Sequence, residues 1–523
     1  MSRPFGNTGP FEDQFEVNDV DNASRQDAAA EHLVLAAASG RLDLTEESLH
    51  VHLSDPAANS KDCCGLLPGK QTNGIQVILY HYILWAERSE QKILITYAKR
   101  ASASKDTVLP DVLTLEVDEV SLPRLDVFIR KLLDHAYGKS QVHKRIKVFI
   151  NPYGGAGKAR KYYTRDIEPI FKAAKCYPDA TTTQRSGHAV ELAEELDLDR
   201  WDVVACCSGD GLPHEVFNGL GKKTNARKAL GRLAVVQLPC GTGNAMSLNL
   251  NGTDSPSLAA LAVVKGIRTP IDLVSVTQGD KRTLSFLSQS LGIVAESDLG
   301  TENMRWMGSA RFTFGFLQRL LGKTLWPVDL AVGVEIEDKA AIRSAYKQHM
   351  GSTTPASKLL SASSSDTDLH SAPPPAEGED EGLPPLKYGT INDPVPSTWT
   401  LEPYPNLGNF YAGNMAWMAA DTKFFPAAMP NDGFIDLVTI DGDIPRWTSV
   451  NLLLKVENGG HFDQDVVRYR KVSGFRIVPR QESGYISIDG ERVPFEGFQV
   501  EVHASLGCTL SRSGKGYEAS GPA

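Results

Sequence analysis

The chain has 523 residues, of which 41% are hydrophobic and 23% are charged, and its formal net charge at pH 7 is −10. This length allows two or three domains that each bury a core, whereas the acidic balance argues against a dedicated nucleic-acid-binding protein, because no basic excess is present to neutralise phosphates. No window reaches the roughly 18 consecutive apolar residues of a membrane-spanning helix, and the N-terminal residues lack the pattern of a secretory signal.

The first 140 residues divide into two predicted parts. Residues 1–60 are polar and acidic, which predicts a mostly disordered arm. Residues 61–140 contain the apolar runs IQVILYHYILW, KILITYAKR and VLTLEV, separated by turn-like breaks. This pattern predicts a small β-rich module, and the sequence does not indicate its function.

Strand, turn and helix patterns repeat between residues 144 and 270. KVFI leads into NPYGGAGKARK, TTTQRSG leads into HAVELAEEL, the run from Trp201 to Cys207 leads into SGDG, and LAVVQLP leads into CGTGNAMS. Strands that alternate with helices, with glycine at each junction, predict a parallel α/β sheet. Ligands of such sheets bind at the carboxyl ends of the strands, where these turns lie.

The second half of the chain is rich in strand patterns. Residues 271–512 contain runs such as FIDLVTI and GFRIVP, which predict a mainly antiparallel domain. Residues 340–396 are rich in Ser, Pro and acidic residues and are predicted to be a disordered insertion, and residues 513–523 are expected to be a loose tail. The predicted fold class is therefore α/β plus mainly β, with a parallel-sheet domain followed by an antiparallel β-rich domain.

Three glycine turns carry the candidate chemistry. In NPYGGAGKAR and in GTGN, the glycines allow the backbone to approach a phosphate closely, although the first turn has neither the Walker A nor the GxGxxG spacing. SGDG places Asp210 at the end of an apolar strand, where a carboxylate can accept a proton from an attacking hydroxyl. Taken alone, each is equally consistent with a structural turn or, for Asp210, a helix cap. Three such turns on one sheet favour a phosphate site.

The combination of motifs resembles the sphingosine and diacylglycerol kinase superfamily, and within it the sphingosine kinases. NPYGGAGKA, SGDGLPHEVFNGL, LPCGTGNAMSLNL, LSFLSQSLGIVAESDLGTENMRWMGSARFTFG and SIDGE follow one another in the family order. The resemblance covers about residues 144–512. It implies that the parallel-sheet domain binds ATP with Mg²⁺ and that the β-rich domain binds lipid. The implied activity is phosphorylation of the primary hydroxyl of a sphingoid long-chain base.

The same resemblance implies roles for individual residues. Asp210 matches the catalytic base, and the whole SGDG segment, Ser208, Gly209, Asp210 and Gly211, is implied to border the acceptor hydroxyl. The residues implied to bind the nucleotide are Asn151, Pro152, Tyr153, Gly154, Gly155, Gly157, Thr183, Gln184, Arg185, Ser186, Gly187, Glu215, Gly241, Thr242, Gly243, Arg305, Arg311, Asp489, Gly490 and Glu491. No residue is assigned as a metal ligand, because Mg²⁺ is expected to be held mainly by phosphates and water.

The sphingoid substrate is inferred largely from Asp298. The family's sphingosine kinases have an Asp here, and a carboxylate gains a charge-assisted hydrogen bond from the amine of a sphingoid base. A second family Asp, two residues earlier, is replaced by Glu296 in this chain. Taken alone, Asp298 is also consistent with a solvated loop carboxylate. The nearest alternative function is a ceramide or diacylglycerol kinase; NAD kinases and a non-catalytic lipid-binding scaffold are more distant alternatives.

Some histidines and cysteines have structural interpretations. His188 and His214 are expected to be structural, and Cys206 and Cys207 to lie in the core. The tandem pair Cys63 and Cys64 is consistent with surface thiols or with acylation, which would supply a membrane anchor. Met304, Trp306, Met307 and Phe312–Phe316 are expected to line a lipid cavity or to belong to the core.

The expected location is the cytoplasm, with peripheral association to intracellular or plasma membranes. The seven cysteines show no disulfide or zinc spacing, which fits a reducing compartment. The expected partners are the lipid substrate and a membrane surface, with no nucleic acid.

Overall fold

The structure is a computed structural model, and it describes residues 31–36, 40–53, 75–102, 105–300, 325–351 and 382–522. The chain divides into two compact units. Unit 1 consists of Met1–Lys105 and Pro110–Gly138, and unit 2 consists of Asp106–Leu109 and Lys139–Ala523.

The described residues of unit 1 form two sheets and one α-helix. The first sheet has the order β1–β2–β3–β4 and the second the order β5–β6–β7. These strands are His32–Val34, Arg41–Leu44, Ser48–His52, Ile75–Leu79, Ile83–Ser89, Lys92–Ser102 and Lys105–Glu116. Helix α1, Leu125–Tyr137, buries Leu125, Phe128 and Leu132 at the spacing of one helical face.

The prediction of a mostly disordered arm over residues 1–60 is wrong, because three strands lie inside this segment. The module that was expected to be β-rich contains strands β4 to β7 and, in addition, helix α1. The strands escaped prediction because each has only three to five residues. β3 pairs with β2 on one side and, across a long gap in the sequence, with β4 on the other, where Ser48 faces Leu79. Residues 1–30 and 54–74, with Cys63 and Cys64, lie outside the described residues.

A parallel sheet of four strands begins unit 2, as predicted. Its strands are β8 Arg145–Ile150, β9 Tyr177–Thr182, β10 Val203–Ser208 and β11 Ala234–Pro239, in the order β11–β10–β8–β9. β10 and β11 are buried along their whole length, which explains their nearly continuous apolar sequences. The chain places β9 on one side of β8 and β10 on the other, so the strand order reverses between β8 and β10, where ligands of open α/β sheets bind.

Short helices accompany this sheet. They are α2 Ala159–Tyr162, α3 Glu168–Ala173, α4 His188–Glu194, α5 Gly211–Lys222, α6 Ala226–Arg232, α7 Ala245–Asn251 and α8 Pro256–Lys265. A π-helix, Tyr163–Ile167, joins α2 to α3. Helix α5 begins at Gly211, the last residue of SGDG, and α7 begins at Ala245, directly after GTGN, so both turns lie at helix N-termini.

The rest of unit 2 is built on a large antiparallel sheet, which confirms the predicted antiparallel, β-rich second part of the fold. Its main order is β13–β12–β22–β19–β18–β17–β14–β20–β21, and β15 pairs with both β16 and β19. The strands are β12 Ile267–Gln278, β13 Lys281–Ser285, β14 Ser288–Gly292, β15 Val328–Ile336, β16 Thr400–Tyr404, β17 Leu407–Gly413, β18 Ile435–Asp441, β19 Val467–Pro479, β20 Ile486–Ile488, β21 Glu491–Val493 and β22 Phe498–Ser511. The α-helices described in this part are α9 Ile293–Leu299, α10 Lys339–Gly351 and α11 Arg446–Val456.

The two sheets of unit 2 share one hydrophobic core. Phe149 and Leu230 from the α/β part belong to the same buried cluster as Ile271 and Tyr411 from the β-rich part. The parts predicted as separate domains, 144–270 and 271–512, therefore form one compact unit.

The predicted insertion and tail are more ordered than their composition indicated. Residues 339–351 form α10, which buries Ile342 and Tyr346. The Pro-rich segment after residue 381 is held by the N–H groups of Lys387 and Tyr388, which donate to the buried Glu501 carboxylate over 2.9 and 2.8 Å. Within the predicted insertion, only residues 352–381 lie outside the described residues.

The tail is packed as well. Tyr517 is buried and donates its hydroxyl hydrogen to the carbonyl of Asn414 over 2.7 Å. Ordering here depends on a few long-range contacts, which composition does not reveal.

Candidate functional site

A cavity of about 730 Å³ lies within unit 2. One end is formed by the turns that follow β8, β9, β10 and β11, together with the turn between β20 and β21. The other end is formed mainly by side chains of α9, β17, β18 and α11. The apolar residues of this second end include Leu287, Ile293, Val294, Tyr411, Phe424, Ile440, Ile444, Leu452, Leu453 and Val456.

The three glycine turns pack backbone against backbone. A Cβ atom at Gly241 would lie 2.3 Å from the Cα of Gly209, and one at Gly209 would lie 2.7 Å from the carbonyl oxygen of Gly243. Gly155, whose φ is +56°, would place a Cβ 3.0 Å from Cys240 and Gly241. Since contacts this short exclude any side chain, glycine is required for the turns to meet at this edge of the sheet.

The turns present backbone donors to the cavity. Within the described part of the chain, the N–H groups of Gly154, Gly155, Thr242 and Gly243 have no hydrogen-bond partner, and all four residues line the cavity. The first turn is stabilised locally, because the Tyr153 N–H donates to Asn151 Oδ1 over 3.0 Å. Glycine turns with unused N–H groups suit a phosphate.

Asp210 stands between two of these turns and caps a helix. Its Oδ2 accepts a hydrogen bond from the Ala245 N–H over 2.9 Å, and its Oδ1 accepts one from the Met246 N–H over 3.0 Å. Oδ1 also accepts from the Gln237 side chain over 3.1 Å. Within the described residues, Oδ2 therefore accepts one hydrogen bond and Oδ1 accepts two, which leaves a lone pair on Oδ2. The helix-cap alternative for Asp210 is thus observed, and it leaves one oxygen open to chemistry.

The pKa of Asp210 lies above the usual range of an aspartate. Burial is the main cause, and the negative charge of Asp489 adds to it. The hydrogen bonds from Met246, Ala245 and Gln237 oppose the shift because they stabilise the charged form. A carboxylate with a raised pKa is a better proton acceptor than an exposed aspartate.

Gln237 is a site residue that sequence reasoning missed. It lies in β11, is 1% exposed, and holds Asp210 through its amide nitrogen while its Oε1 accepts from the Ser247 N–H over 2.8 Å. A buried amide side chain needs hydrogen-bond partners. The available signal for a role of Gln237 was therefore that it is the one polar residue in the apolar run AVVQLP.

The Asp489 carboxylate is saturated by protein donors. Oδ1 accepts from the Ser285 hydroxyl over 2.6 Å and from the N–H groups of Leu287 and Ser288, and Oδ2 accepts from the Phe286 N–H. The fifth donor is His214 Nδ1, which lies 2.8 Å from Oδ2. Asp489 borders the cavity. Its carboxylate oxygens are nevertheless used by the segment between β13 and β14 and by His214, so they are not available to accept hydrogen bonds from a ligand.

The His214–Asp489 pair joins residues 275 positions apart in the chain. Burial lowers the pKa of His214, but the hydrogen bond and charge of Asp489 outweigh it, so the pKa lies above its usual value. Burial raises the pKa of Asp489, but His214 and the other donors outweigh it, so that pKa lies below its usual value. Each group favours the charged form of the other, which agrees with the predicted structural role of His214.

Glu215 and the TQRSG segment form a second capped turn. Glu215 accepts hydrogen bonds from the N–H groups of Gly187 and Ala189 over 3.0 Å each, which fixes the start of α4. Arg185 lines the cavity and forms an ion pair with Glu191 over 2.6 Å. His188 accepts the N–H of Gln184 over 3.1 Å, as expected of a structural residue.

Most of the predicted binding residues come together at the polar end. Those that line the cavity are Asn151, Tyr153, Gly154, Gly155, Thr183, Arg185, Ser186, Ser208, Gly209, Asp210, Gly211, Glu215, Gly241, Thr242, Gly243, Asp489, Gly490 and Glu491. Pro152, Gly157, Gln184 and Gly187 belong to the same turns but do not line it.

The remaining predicted residues are described only in part or not at all. Arg305 and Arg311 lie outside the described residues, as do Met304, Trp306, Met307 and Phe312–Phe316. Asp298 lies in α9, the helix whose residues Val294 and Ser297 line the cavity.

The chain matches two family models. Residues 145–276 match the diacylglycerol kinase catalytic domain, and residues 33–138 match a domain of unknown function (DUF7493). The second match nearly coincides with the described part of unit 1, and the first contains β8 to β11 with all three glycine turns.

Relatives cover much more of the chain. It is 34% identical over 459 residues to sphingoid long chain base kinase 5 of Saccharomyces cerevisiae, which covers 79% of this chain and 67% of that protein. It is 33% identical over 471 residues to sphingoid long chain base kinase 4 of Schizosaccharomyces pombe, which covers 89% of this chain and 94% of that protein. The chain belongs to the sphingoid long-chain base kinase family.

This membership confirms the family and the kinase class predicted from the motifs. A crystal structure from Bacillus anthracis, described as that of a diacylglycerol kinase, is also similar, with 16% identity, a TM-score of 0.46, and coverage of 70% of this chain and 97% of that one. A TM-score below 0.5 is too low to add to the evidence from the two yeast kinases.

Two features of the described residues concern metal binding and membrane crossing. No group of three or more His, Cys, Asp or Glu side chains in the described ranges is placed to hold a metal ion. Among the helices of the described segments, none is long and apolar enough to cross a membrane.

Proposed function

We propose that the protein transfers the terminal phosphoryl group of ATP to the primary hydroxyl of a sphingoid long-chain base such as sphingosine, sphinganine or phytosphingosine. The single observation that carries this proposal is the two-ended cavity. Asp210 and the glycine turns lie at one end, and an apolar wall lies at the other. A phosphate donor and a lipid acceptor can therefore meet at one carboxylate.

The polar end fits the phosphates of a nucleotide. At Gly155, Gly209 and Gly241 a Cβ would collide with a neighbouring turn, so the backbone itself forms the cradle, and the unused N–H groups of the first and last turns face the cavity. Positioned donors of this kind account for most of the catalysis in phosphoryl transfer. Mg²⁺ bound mainly through the phosphates would neutralise their charge.

Asp210 acts as the general base through Oδ2. As the lipid hydroxyl oxygen forms its bond to the terminal phosphorus, its proton passes to Oδ2 and the bond to the bridging oxygen of ADP breaks. Oδ1 keeps its hydrogen bonds from Met246 and Gln237 during this step, so the carboxylate stays in place. A Cβ at Gly243 would lie 3.2 Å from Oδ2, so glycine at this position keeps the reactive oxygen accessible.

Recognition of the substrate class is assigned to Asp298. Its carboxylate would pair with the amine of a sphingoid base, which ceramide and diacylglycerol lack as a charged group. A carboxylate that loses its charged partner binds the lipid less well, so one residue can discriminate between these lipids. Arg185, Arg305 and Arg311 would neutralise phosphate charge, while Glu215 and Asp489 position the turns.

The decisive experiment compares the wild type with Asp210→Asn. Loss of the base should lower kcat by roughly 10²–10⁴-fold, while ATP binding, measured by titration with a fluorescent nucleotide, changes little. Because Asn replaces one cap acceptor with an amide nitrogen, thermal unfolding is measured alongside to separate catalysis from stability. Retention of wild-type kcat would remove Asp210 from the mechanism.

A panel of sphinganine, sphingosine, phytosphingosine, ceramide and diacylglycerol tests the substrate class, and preference for ceramide or diacylglycerol would overturn it.

A further inference from the structure

Helix α11 exposes two large apolar side chains. Trp447 is 84% exposed and Leu454 is 70% exposed. They are seven residues apart, which is two helical turns, so they lie on the same side of the helix. The opposite side packs inward, since Leu452 and Val456 are buried. We refer to Trp447 and Leu454 as the docking face.

The docking face adjoins the cavity. Leu454 lines the cavity and is also largely exposed to solvent. A side chain with both properties lies where the cavity opens, so α11 forms part of the mouth. Ser449 and Leu453 of the same helix also line the cavity, so the apolar wall continues from the interior to the outer surface of α11.

Electrostatics do not account for this surface. In the sequence of the helix and its flanks, Arg446 and Lys455 are outnumbered by Asp441, Asp443 and Glu457, and the chain as a whole carries a net charge of −10. Attraction to an anionic surface is therefore weak. A tryptophan with its indole exposed beside an apolar mouth is instead typical of side chains that insert at the boundary between lipid headgroups and acyl chains.

We propose that the docking face of α11 inserts into the surface of a lipid bilayer and places the cavity mouth against it, so that the lipid substrate enters without crossing water. This inference rests on the proposed function, because it takes the substrate to be a membrane lipid. Binding is driven by apolar burial, and salt has little effect on it.

The test uses the full chain and phosphatidylcholine vesicles containing a small fraction of sphinganine. Trp447→Ser should weaken co-sedimentation with the vesicles by roughly 10-fold to 100-fold, the effect of withdrawing one large apolar side chain from lipid. Activity on vesicle-borne sphinganine should fall with it, whereas activity on sphinganine dispersed in detergent micelles stays at the wild-type level. Raising the salt concentration from 0.1 to 0.5 M should leave vesicle binding unchanged.

The matched control is Leu401→Ser. Leu401 is 63% exposed on β16 and does not line the cavity, so its substitution should leave vesicle binding unchanged.

The docking proposal is overturned if Trp447→Ser binds vesicles like the wild type, if both variants lose binding equally, or if high salt abolishes binding. It is also overturned if the wild type is a dimer that Trp447→Ser dissociates, since the face would then bind a second copy. Absence of activity in micelles as well as vesicles would contradict the proposed function, while vesicle binding would still report on the docking face.

Discussion

The two ends of the cavity are built by different means. At the polar end, backbone atoms of three turns meet at distances that exclude side chains, as between Gly209 and Gly241. At the apolar end, the wall consists of side chains from separate strands and helices, such as Tyr411 and Leu452. The phosphate end therefore depends on a backbone conformation that tolerates no substitution, whereas the lipid end depends on the sum of many side chains.

The contrast has a consequence for specificity. A phosphate presents the same oxygens in every nucleotide, so a rigid backbone cradle is sufficient. Long-chain lipids differ in headgroup and length, and the side chains of the apolar end can vary without disturbing the turns. Asp210 belongs to the polar end, where it caps α7 through both carboxylate oxygens and keeps a lone pair on Oδ2.

The largest effect is expected at the backbone end. Gly241→Ala would place a Cβ 2.3 Å from the Cα of Gly209 and must separate the turns. Displacement of about 1 Å near the reacting atoms can cost about 10²-fold, so we expect kcat/KM for ATP to fall by at least that factor. The matched control is Gly231→Ala. Gly231 is exposed and an added Cβ would meet no atom within 4 Å, so this variant should retain full activity. Wild-type kinetics for Gly241→Ala would contradict the close packing of the turns.

A smaller and more selective effect is expected at the lipid end. Asp298→Asn should raise KM for sphinganine by about tenfold to a hundredfold, the value of a hydrogen bond to a charged group, while KM for ATP stays constant. The measurement is steady-state kinetics with each substrate varied in turn. Equal increases in both KM values would show that Asp298 supports the site as a whole rather than the amine.

The smallest effect is expected at the contact that holds Asp210. Gln237→Met removes, at similar volume, both the donor to Oδ1 of Asp210 and the acceptor of the Ser247 N–H. Loss of the hydrogen bond to Asp210 should lower kcat/KM about threefold to tenfold, and thermal unfolding measures the separate cost of the unpaired Ser247 N–H. The Gln237 donor stabilises the charged carboxylate, so its loss raises the pKa of Asp210 further above its usual value. Because the base must be deprotonated, the acid limb of the kcat/KM profile should move to higher pH. A lower activity with an unmoved acid limb would indicate lost stability alone.

Much of the polar end could be predicted because its signals are local. NPYGGAG, SGDG and GTGN each combine an apolar strand, a glycine turn and a helix within about 20 residues, and parallel strands bring their carboxyl ends to one edge. The same logic predicted Asp210 at that edge. Gln237 was missed because an amide in a strand acquires its role only from the partners that surround it.

The sequence by itself determined the parallel sheet, the antiparallel sheet, the glycine turns and the family, because these depend on short-range patterns of apolar residues and glycine. Only the tertiary structure decided that Asp489 pairs with His214 across 275 residues. The same is true of the packing of α10 and the tail within unit 2 and of the place of α11 at the cavity mouth. Such contacts join segments far apart in the chain, so each segment's pattern is consistent with several partners until the whole fold selects one.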